Sequence, residues 1–491
     1  MKRIVVIGGG ITGLSTAYFL ETQAKALGIE IECVLIESSE RLGGKIVTER
    51  VGGASAAGGA STAGDFIIEG GPDSFLSKKP WGMELCRQLG LLDRLIQTHP
   101  INKEIYVLLN GELQKFPAGM NLMVPGEMTP FLRTPLISAF GKLRMGLDLL
   151  IPRKSNCDDE SIGSFVRRRL GEEAVSTFAD PIMATIYAGD VERLSLKATF
   201  PQFAGVEQKF GSLIWGGWMG RWDAHLAKKN QDAKNAATPS YTLFVSLQDG
   251  LSSLITALRE KMKSSDIRTG QKVLSVSPCG TSAAEGKGYR VISDRETILA
   301  DAVIITTDAK TAAGFVKGWH ERLSELLLTI QYVSTATVSL GFRRQDVKHP
   351  LNGFGYVIPR SERKNILATT CSSTKFAGRS HADSVLIRSF VGGAHQEEMV
   401  DLPDDELIRR VLEELRPVLG ISGEPTVSSV FKWHKANPQY HVGHLSKIEA
   451  IEKEAEKYPG LFLAGAAYKG IGIPDCIGQG WEIAQKVLHA H

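Results

Sequence analysis

The chain has 491 residues and a mass of 53.4 kDa, which at about 100–200 residues per domain accommodates two to four domains and excludes a small stapled scaffold. Its 57 basic and 54 acidic side chains leave a net charge of +3, too balanced for a dedicated nucleic-acid binder. The remaining skew is glycine, with 51 residues against a usual share of about 7%, which calls for positive-φ turns or for backbone lying close to a ligand.

In chain order, Arg3 to Ile7 reads as a short apolar strand, Gly8 to Gly13 as a glycine turn, Leu14 to Ala26 as a helix and Ile31 to Ile36 as a second strand, together a βαβ unit. The charged start followed by apolar residues imitates a signal peptide, but Gly8-Gly9-Gly10 breaks the run, so a buried first strand is the reading. Val51 to Gly64 is a low-complexity Gly/Ala/Ser insert expected to be a surface loop within a hairpin. Trp81 to Leu95 has helical spacing. Leu113 to Leu147 is apolar, broken by Pro117, Pro125, Pro130 and Pro135, and carries Lys115, Arg133, Lys142 and Arg144 against Glu127. That segment could lie on an anionic membrane surface or form packed interdomain helices. Ser161 to Ser195 continues as helices, with Ser161 an N-cap and Gly171 a stop, and with Arg167-Arg168-Arg169 expected on a solvated face.

Lys228 to Ser240 reads as a polar loop. A helix from Gly250 to Lys263 precedes strands at Lys272 to Val276, Tyr289 to Ile292 and Ala302 to Thr306. Four further runs, Ser334 to Phe342, Phe354 to Ile358, Ile366 to Cys371 and Val385 to Val391, suggest an antiparallel sheet. A helix at Asp405 to Leu415 follows, and Leu461 to His491 reads as strand, glycine turn and helix, returning to the opening domain. No stretch of 18 apolar residues appears, which argues against a spanning helix. Six cysteines without a C-x-x-C pair fit a reducing compartment, so a cytoplasmic protein is expected, with peripheral contact at the inner face of the cell membrane left open.

Gly8-x-Gly10-x-x-Gly13 between a strand and a helix is the fingerprint of a dinucleotide site. Its glycines form the turn, admit the pyrophosphate, and pack helix on strand, and Gly9, Ile11 and Thr12 complete the loop. Glu37, closing the second strand beside Ser38, is placed to accept hydrogen bonds from both ribose hydroxyls. Next, Arg41-Leu42-Gly43-Gly44-Lys45 resembles the R-x-G-G-[RK] signature of the amine oxidase and phytoene desaturase flavoproteins, so the resemblance selects FAD. Its paired glycines would admit the flavin side of the cofactor, and Arg41 and Lys45 could offset pyrophosphate charge.

Glu69-Gly70-Gly71-Pro72-Asp73-Ser74 matches a turn that related flavoproteins lay against the isoalloxazine. Leu463-Ala464-Gly465 and Gly470-Ile471-Gly472-Ile473-Pro474 match the closing flavin-binding segment, whose helix would point its N-terminus at the cofactor. Val273 resembles the residue whose backbone meets adenine. Trp433 matches an aromatic near the flavin, with a core tryptophan as the alternative.

Across nearly the whole chain the sequence is similar to the porphyrinogen oxidases of haem synthesis, particularly the soluble Gram-positive bacterial type. The matching segments include Gly71 to Leu76, Ile186-Tyr187-Ala188-Gly189-Asp190, Gly353-Phe354-Gly355 and Pro438-Gln439-Tyr440. The resemblance implies an α/β protein with a Rossmann-like FAD-binding domain in three parts (1–80, 238–310, 431–491), a mainly helical subdomain (81–215) and an antiparallel-sheet substrate domain (311–430). It implies oxidation of a porphyrinogen, coproporphyrinogen III ahead of protoporphyrinogen IX, with dioxygen as acceptor and hydrogen peroxide as product. Phe354 and Val357 would pack on the macrocycle, and Lys78 and Lys79 would meet propionates, against the alternatives of sheet core and a solvated charge pair. No nucleic-acid partner is implied, no acid or base is assigned, and haem-pathway protein partners stay open. His434, His441 and His444 lack metal-ligand spacing and read as structural. An FAD-dependent amine or polyene oxidase, or a binding protein retaining FAD as a structural element, are the alternatives.

Overall fold

The structure, a computed structural model, describes residues 1–52, 66–155, 158–219, 241–280 and 288–489. Most of the Gly/Ala/Ser stretch and the whole of the Lys228 to Ser240 run lie outside the described residues, as does Cys157.

Five parallel strands form the first sheet, in the order Asp266–Arg268, Ile31–Ile36, Lys2–Ile7, Ala302–Ile305 and Leu461–Leu463. Alternate residues of its central strands enter two different cores. Ile4, Val6, Leu35 and Ile304 pack under the helices Ile11–Leu27 and Ile473–His489. Val5, Ile7, Val34, Val303 and Ile305 pack under the helices Ala309–Val316 and Glu321–Leu328 and a three-stranded antiparallel sheet, Val273–Pro278, Tyr289–Ser293 and Thr297–Ala300. Burial on both faces explains why these strands are continuous apolar runs without polar alternation. The chain crosses this sheet three times, so the nucleotide-binding unit is assembled from its beginning, middle and end, as expected for the Rossmann-like α/β class.

The second sheet has seven strands, ordered Val427–Pro438, Tyr332–Arg343, Ser384–Gly392, Ile366–Cys371, Gly353–Val357, Glu104–Leu109 and Glu112–Lys115. All pairs are antiparallel except Gly353–Val357 with Glu104–Leu109, which run parallel. Two of its strands therefore come from the stretch assigned by pattern to the helical subdomain. The amphipathic helix Asp404–Leu419 covers the back through Leu407, Val411, Leu415 and Leu419.

The helical subdomain packs on the other face at the far edge, where Val107 and Val357 join Phe131, Met145, Phe165 and Phe178. Ser161 caps the helix Ile162–Leu170 by accepting from the Ser164 N–H, and Gly171 (φ 95°) ends it. The solvated face expected for Arg167-Arg168-Arg169 is corrected here. Arg167 and Arg168 are only half-exposed, whereas Arg169 is 0% exposed, its Nε donating to Asp148 Oδ1 at 2.6 Å and its other N–H groups to the carbonyls of Asp148, Ile151, Pro152 and Gly211. Three consecutive helical residues span 200° of arc, so one of them must turn inward.

Candidate cofactor and substrate site

The nucleotide cradle is built by glycines whose missing Cβ atoms are each accounted for. Gly8 (φ 110°) leaves room for Thr306 Oγ1, 2.8 Å from where a Cβ would sit, and a Cβ on Gly13 would collide with the Gly8 carbonyl. At Gly10, by contrast, nothing lies within 4 Å of that position: the turn is open where a pyrophosphate would approach. The helix behind it starts at Ile11 with no side-chain cap and no acidic residue in its first turn, so its N-terminal N–H groups and dipole favour an anion. Thr12 is buried against the closing segment.

Glu37 ends the second strand beside this turn. Its carboxylate accepts from the Gly9 N–H at 2.6 Å, from the Ser39 N–H at 2.8 Å, and from the Ser39 and Ser38 hydroxyls at 2.9 and 3.2 Å. The Gln271 N–H donates to the Glu37 carbonyl, which brings buried Val273 close to the same end of the cradle.

From here the cradle runs away from Glu37. The Gly43 N–H donates to the Gly9 carbonyl at 2.8 Å, and a Cβ on Gly44 would stand 3.2 Å from Gly10 Cα. Arg41 and Lys45, expected to face pyrophosphate, instead brace the loop. Arg41 donates to the carbonyls of Leu42, Gly44 and Ile46, and Lys45 Nζ donates to the Ala436 carbonyl at 2.8 Å and to Asn437 Oδ1 at 3.4 Å. The reason is geometric: the positive φ of Gly43 and Gly44 (105° and 58°) curls the loop so that its carbonyls converge. A bulge in the strand Val427–Pro438, where Lys435 has φ 44°, turns the Ala436 carbonyl toward Lys45. Burial pushes the Lys45 ammonium pKa down.

The Gly70-Gly71 turn locks onto this loop. A Cβ on Gly71 would collide with the Lys45 carbonyl, and one on Gly70 would press on the Phe431 ring. The Gly70 carbonyl accepts from Trp433 Nε1 at 2.9 Å and Thr337 Oγ1 at 3.1 Å, while Arg388 donates to the Gly71 carbonyl. Trp433 thus clamps the turn from the sheet. After Pro72, Asp73 is half-buried and bonded to Lys375 Nζ at 2.8 Å; although desolvation pushes its carboxyl up, Lys375 and Arg388 hold it well below the usual carboxylate range.

The closing segment completes the circuit. Gly465 (φ 129°) donates to Gln479, Gly470 (φ 109°) donates to the Tyr440 hydroxyl, and that hydroxyl donates to the Ala466 carbonyl. Gly472 and Ile473 then open the helix Ile473–His489, whose first-turn Asp475 is bonded to Lys79 at 2.6 Å. His444 stacks on Tyr440 with centroids 4.0 Å apart and shares a hydrogen bond with the Tyr468 carbonyl; burial pushes it down to about 4, a structural role in support of Tyr440. His441 is also pushed down to about 4 by burial and the neighbouring Arg193.

This donor set suits a dinucleotide: an open glycine turn at a helix N-terminus, a pre-oriented carboxylate beside it, and a run of close-packed glycines leading to a second helix N-terminus. The flavin-containing amine oxidoreductase profile matches residues 11–488. The chain belongs to the flavin-containing amine oxidoreductases.

This flavoprotein holds FAD as its cofactor. It is 37% identical to coproporphyrinogen III oxidase of Bacillus subtilis, covering 98% of this chain and 96% of that one. It is 33% identical to the Staphylococcus aureus coproporphyrinogen III oxidase over 99% of both, and 29% identical to protoporphyrinogen oxidase 2 of Arabidopsis thaliana over 99% of this chain and 94% of that one. Among solved structures, a protein from Exiguobacterium sp. 255-15 assigned as a protoporphyrinogen oxidase superposes with TM-score 0.81 at 31% identity, covering 99% of this chain and 98% of that one.

The flavoprotein's second sheet turns a wall toward the cofactor cradle. The register aligns Phe431, Thr337, Phe390, Ala368 and Val357 across five strands, side by side on one face. Thr337 at one end touches the Gly70 turn, and Val357 at the other packs with the helical subdomain. Phe354 is the extra residue of a bulge between Gly353 and Gly355 and is half-buried. Lys78 and Lys79 lie just before the helix Pro80–Leu89, exposed, with Lys79 engaged by Asp475. Phe390 and Arg388 escaped the sequence reading. Their only signal was the alternation Leu386, Arg388, Phe390, and nothing local says which face of a sheet meets a ligand.

Proposed function

We propose that the flavoprotein is a coproporphyrinogen III oxidase of haem synthesis. It would remove six electrons from coproporphyrinogen III in three two-electron steps, giving coproporphyrin III and passing each pair to dioxygen to form hydrogen peroxide, with protoporphyrinogen IX as a secondary substrate. The observation that carries this reading is the 33–37% identity to three coproporphyrinogen III oxidases over at least 98% of the chain, against 28–30% for the plant protoporphyrinogen oxidases.

Bound FAD supplies the electron chemistry, and the chain's residues bind and orient. In this reading Gly8, Gly9, Gly10, Ile11, Thr12 and Gly13 hold the pyrophosphate, Glu37 with Ser38 the ribose, and Val273 the adenine end. Gly44, Gly70, Gly71, Pro72, Gly465, Gly472 and Ile473 shape the flavin end, with Arg41, Lys45, Asp73 and Trp433 fixing those turns. The flat apolar row from Phe390 to Val357, with Phe354, positions a meso carbon of the macrocycle against the cofactor. Lys78 and Lys79 meet propionates, Lys79 through the ammonium that already holds Asp475. The helical subdomain's exposed apolar surface rests on the inner face of an anionic membrane, consistent with a cytoplasmic protein. No helix among the described residues is long and apolar enough to cross one.

Anaerobic mixing of the yellow FAD-loaded protein with coproporphyrinogen III, followed by air, tests the reading: bleaching and then recovery of colour are expected, with kcat/KM higher than for protoporphyrinogen IX. A clear preference for protoporphyrinogen IX would overturn the substrate assignment, and an unbleached flavin the activity.

A further inference from the structure

Arg388 is 3% exposed on the strand Ser384–Gly392, opposite Ser339. One N–H donates to the Gly71 carbonyl, the guanidinium carbon lies 4.8 Å from the Phe390 ring centroid, and the buried Nε–H has no acceptor. Four more ionisable side chains surround the same turn, and they form pairs: Glu69 with Arg379 at 3.7 Å and Asp73 with Lys375 at 2.8 Å. Each pair is completed by neutral partners, Glu69 by Thr48 and the Leu251 N–H, Arg379 by Ser246 and the carbonyls of Leu247 and Gln248. Arg388 has no carboxylate within 4.0 Å among the described residues. The cluster thus holds two carboxylates and three cations, one net positive charge, and its unmatched member Arg388 is shut away from water. Buried ions normally come matched, because an unmatched one costs several kcal/mol of desolvation, so a fold that retains this one needs an anion for it to face.

The proposed reaction produces such an anion. In each step a hydride leaves a carbon of the porphyrinogen for FAD and a proton leaves for solvent, so the cofactor becomes FADH⁻; dioxygen then takes the electron pair and, with one further proton, departs as hydrogen peroxide, restoring FAD. We infer that Arg388 is an electrostatic positioning residue for this cycle, its charge, relayed through the Gly71 peptide, favouring the reduced anionic cofactor over the neutral oxidised one. The inference rests on the reading that the Gly70-Gly71 turn lies at the flavin end of the cradle. Low dielectric around the cluster lengthens the reach of the charge, and burial already works against the guanidinium's own ionisation. An Arg suits both tasks, because one of its N–H groups can hold the turn while the charge stays delocalised beside the Phe390 face; a Lys would keep the charge and lose only part of that geometry.

The test is the two-electron potential of bound FAD, and its affinity for sulfite, measured without porphyrinogen on Arg388→Met and Arg388→Lys. Arg388→Met is expected to disfavour reduction at least tenfold, which is about 30 mV for a two-electron couple, and to weaken the sulfite adduct by a similar factor; Arg388→Lys should recover most of both. If Arg388→Met fails to fold, Lys375→Met removes the same charge by freeing Asp73 to pair with Arg388, and the same downward shift is expected. An unchanged potential in an FAD-loaded charge-removing variant would overturn the inference, and a raised coproporphyrinogen KM alongside it would reassign Arg388 to a substrate carboxylate. Failure of the porphyrinogen reading leaves these measurements intact, since neither uses a porphyrinogen.

Discussion

Glu37 is a carboxylate that braces the fold beside the place proposed for the ribose. Two of its acceptor sites are filled by the Gly9 and Ser39 N–H groups, which hold the glycine turn and the residues after the second strand in one relative position. A carboxylate has about four lone-pair sites; the other two accept from the Ser38 and Ser39 hydroxyls, rotors that can turn away and leave those sites to ribose hydroxyls. Removing it strands those N–H groups and, on the proposed reading, deletes the ribose contacts. Glu37→Ala should weaken FAD binding by about 10–100-fold, taking about 1.5–3 kcal/mol for hydrogen bonds to a charged group. The check is the release of flavin fluorescence on dilution; a variant that keeps its FAD at the wild-type concentration would show that Glu37 is not a cofactor contact. The place of Glu37 at the end of the second strand, beside the glycine turn, was legible in the sequence because the fingerprint fixes its distance along the chain. Arg388 was not, since the Gly71 carbonyl and the Asp73–Lys375 pair reach it only once a remote sheet closes over the turn.

At the scale of elements, the parallel sheet was readable because strands buried on both faces write themselves as unbroken apolar runs, Arg3 to Ile7 and Ala302 to Thr306 among them. The strand Glu104–Leu109 escaped because its partner Gly353–Val357 is about 250 residues away, and local periodicity carries no information about such a pairing; Glu112–Lys115 pairs with it as a local hairpin across Asn110-Gly111, a turn signal that was there to be read. The arginine triplet failed for a related reason: its inward member is satisfied by backbone carbonyls of other segments. That difference is measurable. Breaking a buried ion pair by removing one partner costs about 3–5 kcal/mol, whereas an exposed pair is worth about 0–1 kcal/mol. Arg169→Met, which strands Asp148 together with four carbonyls, should therefore destabilise the protein by about 3–5 kcal/mol, and Arg167→Met, which loses only the half-exposed pairs with Glu172 and Glu192, by less than about 1 kcal/mol. Denaturant unfolding of FAD-loaded protein reads both; equal losses would contradict the burial of Arg169.

For the whole molecule the surface is as informative as the core. The helix Ala139–Gly146 and the turn after it expose Phe140 (78%), Leu143 (67%) and Leu150 (79%), joined by Leu132, Leu147 and Leu149. Asp148 carries the patch further: its carboxylate accepts from Ser212 and the Ile214 N–H, setting the helix 213–219 with half-exposed Trp215 and Trp218 beside it. Between Met128 and Ser155 there are five cations, Arg133, Lys142, Arg144, Arg153 and Lys154, and one acid, Asp148, which is buried under Arg169. Exposed apolar side chains and tryptophans beside an excess of cations are the composition of a face that enters the headgroup region of an anionic bilayer. The proline-broken segment looked ambiguous in sequence because half of its leucines, Leu136 and those like it, do pack inward; only the fold separates the two sets. Vesicles of phosphatidylcholine with phosphatidylglycerol should pellet the FAD-loaded protein, more with increasing anionic lipid and less with salt, at about 1 kcal/mol per engaged cation. Replacing two embedded side chains in Phe140→Glu/Leu143→Glu should lower that partitioning by about 100-fold, from about 1.5–3 kcal/mol of burial per side chain, while porphyrinogen turnover in solution is retained. A second copy of the chain covering the patch would appear instead as a dimer in light scattering that the same variant dissolves, and a monomer that ignores anionic vesicles would refute the membrane assignment.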